Sequence, residues 1–174
     1  MAYFEFNFGE LILSTFVLDS PNELRSRLDE LGGSLILESD ETKTNAAILR
    51  TRSRDSSWTK YCGILYQGPI NPQIAFNFNC SCWIAFDNCV FLITFSKPQP
   101  ECVAKLKLPA TFFSFIVLNN ASVVAVHELG AVCLDNKGDE IWRTDLNDIL
   151  IKYYVEADKV TLCSENGKTV SHKL

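Results

Sequence analysis

The side chains able to do chemistry in this 174-residue sequence fall into a few groups, and their spacing decides what each can do. Cys80-Ser81-Cys82 is the first. Thiolates two residues apart can ligate zinc or copper, and Cys62 would be a third ligand if the chain brought it close. Against that, Ile74, Phe76, Phe78, Cys80, Cys82, Ile84 and Phe86 all hold even positions, so on one strand they would share one apolar face. A cysteine on such a face is a small buried hydrophobe of low reactivity. Cys89, Cys133 and Cys163 also sit in strand-like runs, whereas Cys62 and Cys102 lie near breaks. Core packing is therefore the expectation, with no metal and no cofactor. His127 and His172 are the only histidines. His127-Glu128 lacks the second histidine of a zinc-binding HExxH helix, and it follows the apolar run Val123 to Val126, which makes it a turn-lining residue. His172 lies two residues from the end of the sequence. No catalytic residue is assigned.

Asp135, Asp139, Glu140, Asp145 and Asp148 gather within fourteen residues, yet their spacing is not that of a calcium loop. Asn136-Lys137-Gly138 reads instead as a hairpin turn with Gly138 at positive φ. No glycine-rich phosphate loop occurs among the eight glycines. The exposed feature of most interest is Arg50, Arg52 and Arg54, alternating with Thr51, Ser53 and Asp55 close to Trp58. On a strand the three guanidiniums would line one face, where they could receive phosphate, carboxylate or an acidic partner. The plain alternative is an edge strand whose charges discourage sheet-to-sheet aggregation. Nucleic acid is disfavoured, because the net charge is −5 and neither half of the sequence is a basic arm.

The elements that must position these groups are mostly strands. Val, Ile, Thr, Phe, Tyr and Trp number 53 against 12 for Ala and Met, a composition for pleated, half-buried surfaces. Phe4, Phe6 and Phe8 alternate with Tyr3, Glu5 and Asn7, and a second strand is expected over Leu11 to Leu18. One helix is predicted from about Pro21 to Leu31. Ser20 caps it, Glu23 completes a capping box, Leu24, Leu28 and Leu31 share a face, and Gly32-Gly33 stops it. Short strands follow at Ser34 to Glu38 and Ala46 to Arg54. The prolines of Tyr66 to Pro72 mark a seam. Beyond it, apolar runs alternate with turn signals at Asp87-Asn88, Lys97 to Pro100, Asn119-Asn120, Leu129-Gly130, Asn136 to Gly138, Asp158-Lys159 and Asn166-Gly167, as in an antiparallel meander.

Placing the stretch from Cys102 over the stretch from Glu140 aligns Val103 with Ile141 and Leu108 with Leu146, an offset near 38 residues. A repeat of about 40 residues made of short strands is the sequence form of a propeller blade. The segment GAVCLDNKGDEIWRTDL, Gly130 to Leu146, resembles the blade of quinoprotein-type (PQQ-like) β-propellers, over about residues 123–170. The resemblance implies architecture only, since no cofactor-binding motif of that family is present.

The expectation is a single α+β domain, 1–174, that is predominantly antiparallel β-sheet in blade-like meanders with one N-terminal helix. It subdivides into a strand-helix-strand front, 1–72, and a meander, 73–174. The apolar runs at Cys89 to Phe95 and Phe112 to Leu118 fall short of the roughly 20 residues of a membrane span. The opening Met1 to Glu5 lacks a basic region ahead of an apolar one, and seven cysteines suit a reducing compartment, so the cytoplasm is expected. The function expected is a non-enzymatic protein-interaction module using Arg50, Arg52, Arg54 and Trp58, by analogy of fold and size an immunity or antitoxin-type partner. Two alternatives stand beside it: a small-molecule-binding or enzymatic domain using a concave sheet face near Trp58, Trp83 or Trp142, and a homodimer through edge strands.

Overall fold

The structure is a computed structural model that describes residues 3–40, 42–68, 70–77, 80–118, 122–156 and 159–174. Met1, Ala2, Pro69, Phe78, the Asn119-Asn120 turn and Asp158 lie outside the described residues, as do the side chains of Tyr3, Phe4, Phe6 and Phe8. Sixteen strands are described, arranged in four sheets, beside one short helix, so the fold is predominantly antiparallel β with a minor helical part.

The first sheet contains β1 (Tyr3–Phe8), β2 (Leu11–Leu18), β3 (Leu35–Glu38), β4 (Asn45–Ser53) and β5 (Thr59–Tyr66), in the order β1-β2-β4-β5-β3. All its pairings are antiparallel except β3 with β5. Between β2 and β3 the chain makes a 3-10 turn at Pro21–Glu23 and then helix α1 (Leu24–Glu30). The Ser20 hydroxyl accepts from the Asn22 N–H at 3.2 Å, while Glu23 makes no return cap, so the expected capping box is half formed. A seven-residue helix has little stability of its own. What holds it is packing: Leu24 and Leu28 are buried, each worth about 2 kcal/mol, with Leu24 against Ala46 and Ile48 of β4.

The strand β5 was not anticipated from the sequence, because Gly63 interrupts its apolar run. The packing explains the glycine. A Cβ there would lie 3.1 Å from the Leu24 side chain and 3.3 Å from that of Ile36, so its absence lets α1 settle on the sheet.

The remaining sheets are meanders of consecutive strands. The second is β6 (Gln73–Asn77), β7 (Ser81–Phe86), β8 (Cys89–Thr94) and β9 (Glu101–Lys107); the third is β10 (Phe112–Val117), β11 (Val123–His127), β12 (Gly130–Leu134) and β13 (Glu140–Asp145). The fourth is β14 (Leu150–Glu156), β15 (Lys159–Ser164) and β16 (Thr169–Lys173). The proline-marked seam at Tyr66 to Pro72 is where the chain passes from the first sheet to the second.

The four sheets stack, and alternation along each strand divides its residues between two cores. Cys82, Ile84 and Phe86 of β7 pack with Leu13, Leu49 and Ile64 of the first sheet, whereas Trp83 and Ala85 pack with Val123, Ala125 and Val132 of the third. The opposite face of the third sheet, with Val124, Val126 and Cys133, meets Val160 and Leu162 of the fourth. Strands buried on both faces must read as unbroken apolar runs, which is how β8, β11 and β12 read.

One pair of hydrogen bonds recurs along the chain, its donors 38 residues later and its acceptors 41 residues later. Leu108 N–H donates to the Asn88 carbonyl and Phe112 N–H to that of Asp87, while Leu146 N–H donates to Leu129 and Leu150 N–H to Glu128, all at 2.7–2.8 Å. In both sheets, therefore, the chain leaving for the next sheet is pinned to the central hairpin turn of the sheet it leaves. Asp87 pins the preceding connection as well: its carboxylate accepts from the N–H groups of Gln67 (2.9 Å) and Gly68 (2.7 Å) and from the Ser39 hydroxyl (2.7 Å).

One sequence expectation needs correcting. Ile74 to Phe86 is not one strand but a hairpin, β6 and β7. Because Ile74 pairs with Ile84 and Phe76 with Cys82, Ile74, Phe76, Cys82, Ile84 and Phe86 still share a face. Cys80, however, sits in the turn, exposed, with φ +57, and its carbonyl accepts from Phe95 N–H at 2.7 Å.

Candidate binding site

The site grows from the alternation of β4. Ala47 and Leu49 face the second sheet, so Ala46, Ile48, Arg50 and Arg52 point the other way, onto the outer face that α1 partly covers. The register sets Glu5, Ser14, Arg50 and Tyr61 in one row across β1, β2, β4 and β5. Arg50 Nη2 donates to Ser14 Oγ at 3.1 Å, and Ser14 Oγ donates to Glu5 Oε2 at 3.2 Å. Glu5 Oε2 also lies 3.7 Å from Arg50 Nη2. The guanidinium lies over the Phe16 ring, 5.1 Å from its centroid. This row holds Arg50 in place instead of letting it swing free.

Beside the row, between α1 and the uncovered part of the sheet, is an open cleft of about 330 Å³. Phe16, Leu18, Ile48 and Tyr61 of the sheet and Leu31 at the end of α1 give it apolar walls, and Arg27 and Arg50 supply its cations. Arg27 is exposed and pairs with Glu30 at 3.1 Å. Arg52, one pleat along β4 from Arg50, donates to the Ser56 hydroxyl at 3.2 Å. Chemically, the cleft can receive an apolar group that carries a carboxylate or another anion.

The four residues singled out from the sequence are thus divided. Arg50 and Arg52 share the outer face. β4 ends at Ser53, so Arg54 lies in the turn beyond it, where its N–H donates to the Glu10 carbonyl at 2.8 Å. That turn is tied by Asp55, whose carboxyl is held down at about 2 by the Ser53 hydroxyl and the Ser57 amide. Trp58 packs on the opposite side, against the core between the first and second sheets, with the Lys60 ammonium 4.5 Å from its ring centroid. Lys60 Nζ is itself anchored by the carbonyls of Phe95 and Lys97. The tryptophan and the arginine pair therefore lie on opposite faces of the first sheet. Arg27, Phe16 and Tyr61 were missed, because α1 and the strand order bring them to Arg50 and no local spacing announces it.

The other groups are structural in their surroundings. Trp83 is buried in the core between the second and third sheets, and Trp142 stacks on His172 with centroids 4.1 Å apart, joining the third sheet to the fourth. Cys62 and Cys82 meet in one core, where burial pushes both thiols well up from their ordinary value, and Cys80 does not join them. Among the described residues, no three His, Cys, Asp or Glu side chains come together as a metal site would require. His127, fully buried at the end of β11, accepts from Leu129 N–H through Nδ1 at 3.3 Å, and burial pushes its pKa down to about 4. The Asp135 carboxylate folds the turn that contains Gly138, accepting from the N–H groups of Lys137 and Asp139. Gly138 has φ +97, and a Cβ there would lie 2.4 Å from that of Ala104.

No helix among the described residues is long and apolar enough to cross a membrane. No known family matches the sequence, and no curated protein matches it. Among solved structures, the chain is similar to a protein of unknown function from Bacteroides caccae, at 15% identity and a TM-score of 0.44 over 74% of this chain and 56% of that one. The chain thus spans little more than half the length of that protein.

Proposed function

We propose that this chain is a non-enzymatic, cytoplasmic protein-interaction module whose cleft on the outer face of the first sheet receives an acidic, partly apolar segment of a cognate protein, in the manner of an immunity or antitoxin-type partner. The observation that carries the reading is the cleft itself: apolar walls from Phe16, Ile48 and Tyr61, with the Arg50 guanidinium held beside them by Ser14 and Glu5. A fixed arginine next to an apolar hollow suits an anchor residue flanked by carboxylates. Seven free cysteines agree with a reducing compartment.

Affinity capture from the native host tests this with the wild-type chain beside Arg27→Glu and Arg52→Glu, both of which leave the Arg50 row intact. The expected result is one stoichiometric partner, released by salt and held about tenfold or more weakly by the variants. Absence of a stoichiometric partner, or equal capture by the variants, would overturn the reading.

A second reading, a small-molecule site, draws on the cleft volume of about 330 Å³, at the lower end of the range for ligand pockets. A thermal-shift screen of aryl and alkyl carboxylates separates the two, since a ligand at 100 times its Kd adds roughly 2.7 kcal/mol.

A further inference from the structure

Edge strands of natural sheets are kept short, charged or bulged so that they do not recruit another strand. β14 is guarded only in part: it carries one bulge and two charges, Lys152 and Glu156, beside a run of exposed apolar residues. It forms one edge of the fourth sheet, pairing only with β15 among the described residues. Its one irregularity lies between Leu150 and Lys152, leaving Lys152 to Glu156 in regular register. Along it Ile151 is 64% exposed, Val155 45%, and Tyr153 and Tyr154 36% each, and Val117 on the edge strand β10 is 56% exposed. Tyr153 and Val155 pair with Leu162 and Val160 and so face the third sheet; the Tyr153 hydroxyl lies 2.6 Å from that of Ser114 on β10. Lys152, Tyr154 and Glu156 take the other face, the Lys152 ammonium 5.4 Å from the Tyr154 ring centroid.

We propose that the occupant of this edge is a second copy of the chain, joined by antiparallel β14-to-β14 pairing with Tyr154 on the two-fold axis. The charge pattern selects that partner and that register. With Tyr154 opposite itself, Lys152 stands opposite Glu156 of the second copy, and the symmetry makes the pair twice. Tyr153 stands opposite Val155 of the second copy, also twice, so the apolar face extends across the seam. A parallel arrangement in register would set Lys152 against Lys152 and Glu156 against Glu156. Backbone hydrogen bonds between the two edges would continue the fourth sheet from one copy into the other. The seam is separate from the cleft of the first sheet, so it stands or falls independently of the function proposed above.

Light scattering with size-exclusion chromatography, run from micromolar to near-millimolar protein, tests it on the full chain. The expected wild-type mass at the upper end is about 39 kDa, twice the 19.6 kDa of one chain. Lys152→Glu and Glu156→Lys, both at exposed positions, each turn two attractions into two repulsions and should weaken association about tenfold or more. Combining the two substitutions restores opposite charges and should restore the dimer, with unchanged circular dichroism in all three variants as the folding control. A monomeric wild type at every concentration would overturn the proposal, as would a dimer indifferent to the single substitutions or one that the double variant fails to restore.

Discussion

His127 shows what one polar atom means inside this sheet stack. Its Nδ1 is spoken for by Leu129 N–H, and among the described residues its buried Nε2 has no hydrogen-bond partner. Burial favours the neutral ring and brings the pKa from 6.5 to about 4, with Asp145 opposing and Arg143 adding to the shift. The folded state therefore resists a proton that the unfolded chain accepts. The stability this contributes is fully present above pH 6.5 and is lost as pH falls toward 4, by up to about 3 kcal/mol. Urea unfolding between pH 7 and pH 4 should show that decline, and His127→Gln should flatten it; equal slopes in the two proteins would remove His127 as its source. The sequence predicts a turn-lining histidine, whereas His127 is the last paired residue of β11, beside the turn, and the stacked sheets exclude water from it. Cys80 is the converse case. Its parity matched a buried face, and the hairpin turned it to solvent.

At the scale of elements, the junction of α1 with the first sheet decides whether a cleft exists at all. The helix is too short to stand alone and approaches the sheet only where Gly63 and Ala46 leave room. Gly63→Val suits a strand by intrinsic preference, yet its side chain would press on Leu24 and Ile36. The expected outcome is a loss of about 1–3 kcal/mol, read from chemical denaturation, as overpacking outweighs propensity. A neutral or stabilising result would mean that α1 is not seated as described. Helix and strand positions were mostly legible beforehand, because Ser20-Pro21 and Gly32-Gly33 act locally and period-two alternation is a property of the strand itself. β5 was not legible, since a glycine in mid-strand is intelligible only from the helix above it.

Over the whole molecule, three cores join four sheets in series, and each contains or touches one tryptophan: Trp58 in the first, Trp83 in the second and Trp142 in the third. Every inner sheet contributes to two cores, so losing one core exposes a face of the next sheet. Unfolding is expected to be a single transition. Variants retaining one tryptophan each, followed by fluorescence, should share a denaturant midpoint that also matches far-ultraviolet circular dichroism. Separated midpoints would show that the stack comes apart sheet by sheet.

The sequence by itself determined what depends on neighbours in the chain: β-rich composition, alternation, turn residues, and the start and stop of a short helix. Tertiary structure alone decided what depends on groups distant in sequence. It separated Trp58 from Arg50 by placing them on opposite faces of one sheet, and brought Arg27, Phe16 and Tyr61 to Arg50. The reason is geometric. Alternation states that two residues lie on different faces, but which face meets another sheet and which meets a helix or solvent is settled only when the sheets stack and their apolar sides are buried.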